Sequence, residues 1–384
     1  MYAALRGVTP GRLVLVGALA LLAGCEDITT GGPDGEVKGR TGVQEHGRFP
    51  GVSTTGPQQA RAASASCPQR CRYSIREKTG LVGPVVELTK LNEAATLLGM
   101  SGTDPVLWNA SSGTRSLAPP QGYSAAFGHG QNNWGQVAGR TRNQAGDVAT
   151  VWEPNGTAIV LSDVPFGAPL RGEALAINDN SVIVGWGASG RAFRTHYREG
   201  FRWLAGTGSS AVDVNNDGQV VGWYTNGAGA RRAALWASDG TLTDLGTLPG
   251  FTQSEAVAIG ERGAVVGISR GANDTWQGFI WSAAEGMKPL EARFVPTDVN
   301  HWGEVAGWFS MTTGQANAGA ICAVYYAGYG MLRLPSDPDS YGCIATSINS
   351  WGDVAGYELV DGVRSLAKRS IVWTWSGNEK RYGY

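Results

Sequence analysis

The sequence predicts an all-β protein, a β-propeller built from about seven four-stranded repeats. A nine-residue segment that combines a turn with a short apolar strand recurs along the chain. Glycine is abundant, at 57 of 384 residues, while charged residues make up only 16%, a composition typical of turn-rich β proteins. No segment has a convincing helical period with capping residues. These three observations together favour strands and turns throughout.

The recurring segment is clearest at residues 214–222, which run Val-Asn-Asn-Asp-Gly-Gln-Val-Val-Gly. One residue marks each of the seven copies, and the first copy is degenerate. The marker residues are Asn92, Asn132, Asn178, Asn215, Gly260, Asn300 and Asn349. Successive markers lie between 37 residues apart, from Asn178 to Asn215, and 49 residues apart, from Asn300 to Asn349. A period of this length is typical of propeller repeats.

Each repeat has a simple physical interpretation. An apolar strand ends at Val or Ile, and Asn and Gly then form a tight turn, because both tolerate positive φ and Asn can bond its own backbone. A Val-x-Gly strand follows, and after it comes a strand that ends in an aromatic residue. These aromatic residues are Trp108, Trp152, Trp203, Trp236, Trp281, Tyr326 and Trp373. With a further strand after a Gly turn, as at residues 240–245, a unit has the four strands of a propeller blade.

Seven copies indicate seven blades; the alternatives are six blades, eight blades or a pair of sandwiches. An extra strand at residues 73–75 precedes the first copy, and the last aromatic strand lies at residues 371–375. We expect the N-terminal strand to complete the last blade, because closing the ring removes the exposed edge that an open array would present.

The repeats resemble the HAF family of extracellular bacterial proteins. The strongest match is Ala-Leu-Trp at residues 234–236, Asp-Leu-Gly-Thr-Leu-Pro-Gly at residues 244–250, and the strands at 256–259 and 265–267. The His-Ala-Phe motif of the family is poorly kept, and Arg-Ala-Phe at residues 191–193 is its nearest trace. The resemblance covers roughly residues 80–375. It implies an exported repeat protein and no particular activity.

Residues 1–24 have the pattern of a bacterial lipoprotein signal peptide. Arg6 and Arg12 precede an apolar run at residues 13–22, which is shorter than the roughly 20 residues that span a bilayer. Leu-Ala-Gly-Cys at residues 22–25 resembles a lipobox, which implies that Cys25 is lipidated, with palmitate among its acyl groups. The alternatives are an ordinary signal peptide or a weak transmembrane anchor. Because Glu26 is not the Asp that retains enteric lipoproteins at the inner membrane, we expect the cell envelope, on the outer membrane, facing the periplasm or the surface.

The mature chain divides into two parts. Residues 25–66 are predicted to form the lipidated Cys and a flexible tether, which lacks apolar periodicity and cannot offset its ordering entropy. Its residues 26–66 would span about 35 Å as a coil. Residues 67–384 are predicted to form the propeller. Without residues 1–24, the 31 basic residues become 29 against 32 acidic, a net charge of −3, which argues against a nucleic-acid partner.

Four cysteines remain after Cys25. An even number in an exported chain indicates disulfides. Four cysteines allow three pairings, and sequence proximity favours Cys67–Cys71 with Cys322–Cys343. No second close cysteine pair or histidine pair accompanies Cys67 and Cys71, so their spacing does not predict a zinc site, and we expect no metal or other cofactor.

Two sets of tryptophans recur at equivalent repeat positions. Trp134, Trp302 and Trp351 occupy one turn position, whereas Trp186, Trp223 and Trp308, with Tyr357, follow the repeat Gly. Recurring aromatic residues can stack on sugar rings, and several blades together would add avidity. The alternative is that they pack between blades, as large aromatic residues usually do.

Two further motifs favour a structural interpretation over a chemical one. Residues 213–218 resemble the start of a calcium loop, but Tyr224 stands where the loop needs a carboxylate. Residues 267–271 match Gly-x-Ser-x-Gly, a motif that needs a strand-to-helix turn and a histidine partner, but they fall on the Val-x-Gly strand of a repeat. We therefore expect a non-enzymatic, lipid-anchored binding or interaction scaffold with an unknown protein or glycan partner. The alternatives are a lectin-like carbohydrate binder that uses the turn tryptophans and a propeller-based hydrolase.

Overall fold

The computed structural model describes residues 73–76, 85–101, 104–163, 167–196, 200–310, 319–360 and 367–375. These residues form an all-β protein without helices, as predicted. Seven four-stranded antiparallel sheets make up a seven-bladed β-propeller. None of the described residues forms a helix long and apolar enough to cross a membrane. Cys25, Cys67 and Cys71 lie outside the described residues, so their predicted lipidation and pairing stay predictions.

The strands follow the chain blade by blade, after β1 (Tyr73–Arg76). Blade 1 has β2 (Val85–Leu91), β3 (Leu97–Ser101), β4 (Asp104–Asn109) and β5 (Gly113–Ser116). Blade 2 has β6 (Ala125–Gln131), β7 (Val137–Asn143), β8 (Gly146–Trp152) and β9 (Ala158–Val160). A small hairpin follows, made of β10 (Ser162–Asp163) and β11 (Ala168–Pro169). Blade 3 has β12 (Gly172–Ile177), β13 (Val182–Gly187), β14 (Arg191–His196) and β15 (Gly200–Trp203).

The other four blades have the same plan. Blade 4 has β16 (Thr207–Val214), β17 (Val220–Thr225), β18 (Arg231–Trp236) and β19 (Leu242–Gly246). Blade 5 has β20 (Gln253–Ile259), β21 (Val265–Arg270), β22 (Trp276–Ser282) and β23 (Gly286–Pro289). Blade 6 has β24 (Phe294–Val299), β25 (Val305–Phe309), β26 (Ile321–Tyr326) and β27 (Gly330–Arg333). Blade 7 has β28 (Gly342–Ile348), β29 (Val354–Val360) and β30 (Ala367–Trp375).

The N-terminal strand closes the ring, as predicted. β1 pairs antiparallel with β30, from Tyr73 opposite Trp375 to Arg76 opposite Val372. The sheet order β1-β30-β29-β28 makes β1 the outermost strand of blade 7. The first strand of every blade is innermost and contacts the first strands of both neighbouring blades. The seven first strands therefore surround the central axis.

The predicted aromatic strand of blade 3 was assigned to the wrong strand. Phe201 and Trp203 lie on the outermost strand β15, and the third strand β14 carries Phe193. Phe193 pairs with Trp203 and stacks on Phe201 at 5.8 Å between ring centroids. In this blade the strand that ends in an aromatic residue is the outermost one, whereas in the other blades it is the third strand. The sequence pattern therefore pointed to β15.

The glycine of the Val-x-Gly strand is required by a bulge in the innermost strand. Each innermost strand shifts register at one equivalent place, such as between Ala211 and Asp213 in blade 4. There the carbonyl of Ser210 faces Gly222, and a Cβ on Gly222 would lie well under 3.0 Å from that oxygen. The same close approach occurs at five other repeat glycines: Gly139, Gly185, Gly267, Gly307 and Gly356.

Tryptophans at the ends of third strands anchor blades to the linkers before them. Trp152, Trp236 and Trp373 are fully buried. The Trp152 indole donates a hydrogen bond of 2.8 Å to the carbonyl of Ala118, in the linker that follows blade 1. Trp236 and Trp373 do the same to linker carbonyls at 2.9 and 2.6 Å. Each buried indole removes roughly 150–250 Å² from water and has its polar group satisfied.

The predicted Cys322–Cys343 disulfide is present. It joins the third strand of blade 6 to the innermost strand of blade 7, with Cα atoms 5.6 Å apart. The Cys322 amide also donates to Cys343 Sγ. At two other blade interfaces a serine accepts the equivalent amide: Ser209 from Ala192 and Ser254 from Ala233, both at 2.9 Å. The disulfide thus occupies the place of an inter-blade serine hydrogen bond.

Candidate binding face

One end of the propeller is formed by the seven turns that follow the innermost strands; we call it the turn face. The turns are residues 92–96, 132–136, 178–182, 215–219, 260–264, 300–304 and 349–353. Each turn is closed by the marker residue and the residue four positions later, as between Asn132 N and Gln136 O at 3.1 Å. Positive φ falls on the fourth turn residue, for example Gly135 at 82°, and not on the marker Asn.

The marker asparagines link neighbouring blades. In blade 2, Asn132 Oδ1 accepts the Gln136 amide at 2.9 Å, while its Nδ2 donates to the carbonyl of Asn178 in blade 3 at 3.0 Å. Equivalent links to the next blade start from Asn92, Asn178, Asn215, Asn300 and Asn349. The link from Asn349 returns to blade 1, so one side-chain type connects six of the seven interfaces around the ring.

The seventh interface, between blades 5 and 6, lacks this link because Gly260 has no side chain. A Cβ on Gly260 would lie 2.7 Å from the carbonyl oxygen of Asn300, closer than real Cβ contacts. The two turns therefore approach too closely at this seam for any other residue. A different contact occurs there: Arg262 Nε donates to His301 Nε2 at 3.2 Å.

The second turn residues form a further set of links, which the sequence did not reveal. The amide of Asn133 donates to Asp179 Oδ1 at 2.8 Å, and the amide of Asn216 donates to Glu261 Oε2 at 2.9 Å. Ser350 closes the ring, because its backbone N–H donates to both oxygens of the Glu93 carboxylate, at 2.9 and 3.0 Å. The only signal in the sequence is that this position is polar in every repeat.

The three turn tryptophans lie over the following blade. The indole nitrogen of Trp134 donates to the carbonyl of Asp179 at 2.9 Å, and that of Trp351 donates to the carbonyl of Glu93 at 3.2 Å. Trp302 donates to Ser350 O at 3.2 Å in the same way. Their N–H edges are therefore held against the protein.

The three indoles differ in exposure. Trp134 is 67% exposed and Trp351 is 51% exposed, which is high for side chains of this size. Trp302 is half-buried and thus less exposed than the other two, because the guanidinium of Arg262 lies 4.6 Å from its ring and the imidazole of His301 packs edge-on at 4.6 Å. The turn face therefore presents two accessible indoles and one covered indole.

The strand tryptophans lie away from the turn face. Trp308 is buried in a cluster with Val295, Ile344 and Tyr357. Trp223 is covered by the guanidinium of Arg231, 3.9 Å from its ring. These positions fit the packing interpretation.

The third member of this set, Trp186, is half-buried opposite Glu173 and Ala192. Its indole nitrogen is buried without a hydrogen-bond partner among the described residues. Its surroundings thus resemble those of the other strand tryptophans more than those of Trp134.

The turns carry many more acidic than basic side chains. Their only Lys or Arg is Arg262, against six carboxylates: Glu93, Asp179, Asp217, Glu261, Glu304 and Asp353. Burial raises the pKa of Glu93, although hydrogen bonds from Ser350 oppose the shift. Burial, aided by the charge of Asp179, raises the pKa of Glu261. The turns are therefore acidic and carry two exposed aromatic rings, while the Arg115 guanidinium of β5 also reaches the second turn, donating to Gly135 O at 3.4 Å.

The central axis holds a charged cluster beneath the turns. Lys90 of blade 1 reaches Asp298 of blade 6 at 3.2 Å. Burial lowers the pKa of Lys90, but the charges of Asp298 and Asp213 outweigh it, so that the pKa is raised overall. Burial raises the pKa of Asp213. Asp298 Oδ2 also accepts the amide of Ile348 at 3.0 Å, so the cluster connects blades 1, 6 and 7.

A second charged cluster lies near the opposite end of the axis, on blades 2 and 3. The buried guanidinium of Arg140 contacts Asp147 and, at 3.3 Å, Glu173. His129 Nε2 lies 3.6 Å from the same Glu173 carboxylate. Phe127 packs under Arg140 at 4.1 Å. These charges are paired with one another, which is the arrangement of an inter-blade link.

The two sequence motifs with catalytic or metal-binding resemblance have structural roles. Ser269 is fully buried on β21, and its Oγ accepts the amide of Leu248 at 3.1 Å. The Asp213 carboxylate accepts the amides of Val214 and Ile259 at 3.0 and 2.9 Å. In the described part of the chain, no three His, Cys, Asp or Glu side chains are arranged to hold a metal ion.

Comparison with known proteins places the chain among propellers. No protein-family model and no curated protein sequence matches it. Among solved structures it is similar to a catalytically inactive virginiamycin B lyase from Staphylococcus aureus with quinupristin, with a TM-score of 0.52, 10% identity, and coverage of 79% of this chain and 99% of that one.

Two further similar structures come from Pyrococcus. The β-propeller domain of the Trilobed protease from Pyrococcus furiosus gives a TM-score of 0.50 at 10% identity, over 83% of this chain and 98% of that one. The acylaminoacyl peptidase of Pyrococcus horikoshii gives 0.50 at 9% identity, over 81% of this chain and 54% of that one. At such identities these similarities show the fold alone.

Proposed function

We propose that this protein is a non-enzymatic binding protein of the cell envelope, which presents the turn face of its propeller to a ligand. The exposure of Trp134 and Trp351 on that face is the observation that carries the proposal. Large aromatic side chains that are fixed by hydrogen bonds and yet open to solvent contribute little to the core, whereas they are enriched where proteins bind other molecules.

The chemistry of the described residues supports binding over catalysis. The charged clusters around Lys90 and Arg140 are paired internally, and Ser269 is buried. Virginiamycin B lyase and acylaminoacyl peptidase are enzymes by name, but a propeller can carry many functions, and an identity of about 10% transfers no activity.

The proposed location rests on the sequence of residues 1–25. Lipid on Cys25 would hold the protein to the outer membrane, and residues 26–66 would let the propeller reach a ligand away from the bilayer. Metabolic labelling with an alkyne-tagged palmitate tests this. We expect label on the wild-type protein and none on Cys25→Ser; equal labelling of both would contradict the anchor.

Co-sedimentation tests the binding face. Full-length protein in detergent micelles is mixed with delipidated envelope material from the producing cells, and the bound fraction is measured. We expect binding that decreases for Trp134→Ala and for Trp351→Ala. The control is Tyr341→Ala, which removes another exposed aromatic residue, in the linker between blades 6 and 7. No binding by the wild-type protein, or equal loss in all three variants, would contradict the proposal.

A further inference from the structure

We propose that the ligand of the turn face is a carbohydrate chain without anionic groups, which stacks on Trp351 and Trp134 and crosses blade 2 above Ala94. This inference rests on the proposed function and specifies its ligand class. It combines three features of the turn face: the orientation of the two indoles, the open position between them, and the polar groups that surround that position.

The two indoles are held in one orientation. Trp351 donates its N–H to Glu93 O in blade 1, and Trp134 donates its N–H to Asp179 O in blade 3. Because the N–H edge is used by the protein, the area that remains accessible lies on the ring faces and the opposite edge. Little conformational entropy is then lost when a flat apolar surface, such as the C–H face of a pyranose, stacks on either ring.

The position between the indoles is open. The third turn residue of each blade lies toward the next blade, as Trp351 does over blade 1 and Trp134 over blade 3. In blade 1 that residue is Ala94, which is exposed and has no side chain long enough to cover blade 2. Packed sheets are about 10 Å apart, so the two indoles, two blades apart, lie within reach of one oligosaccharide.

Polar groups suited to sugar hydroxyls border the open position. Glu93 and Asn133 are exposed, and Asp179 is half-buried. These groups already take part in inter-blade hydrogen bonds: Glu93 accepts from Ser350, and the Asn133 side-chain amide donates to Asp179 at 2.9 Å. A sugar hydroxyl would therefore use the remaining lone pairs of the carboxylates and the second N–H of the Asn133 side chain. The six carboxylates of the turns outnumber Arg262 and Arg115, whose guanidinium reaches Gly135 O. The net negative charge disfavours carboxylated or sulfated glycans and tolerates neutral or amino sugars.

The same features disfavour a protein partner as the main ligand. Protein interfaces have a contiguous core from which charged residues are depleted. Here the two indoles are separated by Ala94 and flanked by Glu93 and Asp179. Two separate stacking surfaces in a polar surround suit a ligand with repeated rings.

Two stacking surfaces predict a dependence on chain length. A short oligosaccharide covers one indole, whereas a longer one covers both and gains from the high effective concentration of the second contact. Removing either indole should therefore reduce the affinity for a long chain about ten-fold or more. Removing both should weaken binding further, because the stacking contact that each single variant keeps is then lost as well. The affinity for a disaccharide should be weak and should change much less when one indole is removed, because the other indole can still bind it.

The experiment is a calorimetric and tryptophan-fluorescence titration of the full-length protein in detergent micelles. The probes are chitobiose, chitohexaose, cellohexaose, partially deacetylated chitosan oligomers and oligogalacturonate. The variants are Trp134→Ala, Trp351→Ala, the double variant and Tyr341→Ala, each checked by circular dichroism and thermal unfolding. We expect at least one neutral or amino hexamer to bind tightly, oligogalacturonate not to bind, and only the tryptophan variants to weaken binding.

Three results would overturn the proposal: no binding by any probe, preferred binding of oligogalacturonate, or hexamer binding that both tryptophan variants retain. The co-sedimentation experiment separates this failure from failure of the proposed function. If envelope material still binds through Trp134 and Trp351 while no sugar probe does, the turn face is a binding face and only the ligand class is wrong. If neither binds, both proposals fail.

Discussion

Asn132 and Asn178 occupy equivalent turns of neighbouring blades, and the Asn132 side-chain amide donates a hydrogen bond of 3.0 Å to the Asn178 main-chain carbonyl. Asn132 Oδ1 simultaneously accepts the amides of Trp134 and Gln136 at 3.1 and 2.9 Å. One buried side chain therefore shapes its own turn and fixes the distance to the next. The repeat asparagine is an inter-blade connector as much as a turn residue.

Replacing this connector should destabilise the ring. Asn132→Ala leaves the Trp134 and Gln136 amides without their side-chain acceptor and removes the inter-blade donor from the Asn178 carbonyl, which keeps only the Ser181 amide. We expect a loss of about 2–4 kcal/mol in the free energy of unfolding, measured by urea denaturation. The control is Asn226→Ala, which removes a similar cap, to the amides of Ala228 and Ala230, without an inter-blade contact. Equal losses in the two variants would show that the inter-blade bond contributes nothing.

The repeat glycine should tolerate no side chain. In Gly222→Ala the new Cβ meets the Ser210 carbonyl oxygen, so we expect a loss of about 3 kcal/mol or more, or failure to accumulate. Gly227→Ala, in the next hairpin of the same blade, meets nothing within 4 Å and should be close to neutral. A stable Gly222→Ala protein would mean that the bulge relaxes easily.

The degenerate first turn should be improved by glycine. Ala95 has φ of 54°, where most other repeats have Gly, and a Cβ in this region costs roughly 1 kcal/mol. We expect Ala95→Gly to raise the free energy of unfolding by about that amount. Ala94→Gly adds the same flexibility at a residue without positive φ and should be neutral or slightly destabilising. If both variants lose stability, the turn is not strained.

The disulfide should contribute stability that a serine partly replaces. Cys322 and Cys343 are both buried and close a loop with a sequence separation of 21, so the double alanine variant should lose about 3 kcal/mol. In Cys322→Ala with Cys343→Ser, the hydroxyl can accept the strand amide as Ser209 and Ser254 do. We expect this variant to unfold at higher urea than the double alanine variant; the reverse order would contradict that role.

Acidification should loosen the seam between blades 5 and 6. Burial, with the charge of Arg262, lowers the pKa of His301 from its ordinary value of 6.5. The unfolded chain then binds more protons than the folded protein below that value, so stability falls as the pH drops through about 6.5 toward the folded pKa.

The measurement is the difference in unfolding free energy between wild type and His301→Gln from pH 7.5 to 5. The raised pKa values of Glu93 and Glu261 have the opposite effect, because the folded protein then retains protons that the unfolded chain has lost. Since both proteins contain these carboxyl groups, the difference isolates His301. A difference that does not change with pH would exclude its titration.

Much of the architecture was predictable because it is local and periodic. The spacing of the marker residues predicted seven blades, the unpaired strand at residues 73–75 predicted closure of blade 7, and proximity predicted the Cys322–Cys343 pair. The aromatic strand of blade 3 was assigned wrongly because Trp203, on the outermost strand β15, matches the aromatic end of the repeated strand, whereas the third strand β14 carries Phe193 in its middle.

The inter-blade chemistry could not be predicted from one repeat. That Asn132 bonds a carbonyl 46 residues away depends on which blades become neighbours and how closely their turns approach. Equivalent tryptophans likewise differ in exposure because of neighbouring blades: Arg262 covers Trp302, while Ala94 leaves the surface between Trp351 and Trp134 open. Sequence equivalence predicted the position of these rings and not their accessibility.

Under the proposed anchor at Cys25, the strand that closes the ring is also the place where mechanical load would enter the propeller. Tyr73–Arg76 is held to β30 by four residue pairs, and the chain that leads back to Cys25 joins at Tyr73, opposite Trp375. With the proposed lipid anchor on Cys25 and a ligand fixed elsewhere, a pull on the protein would be borne first by this short strand pair.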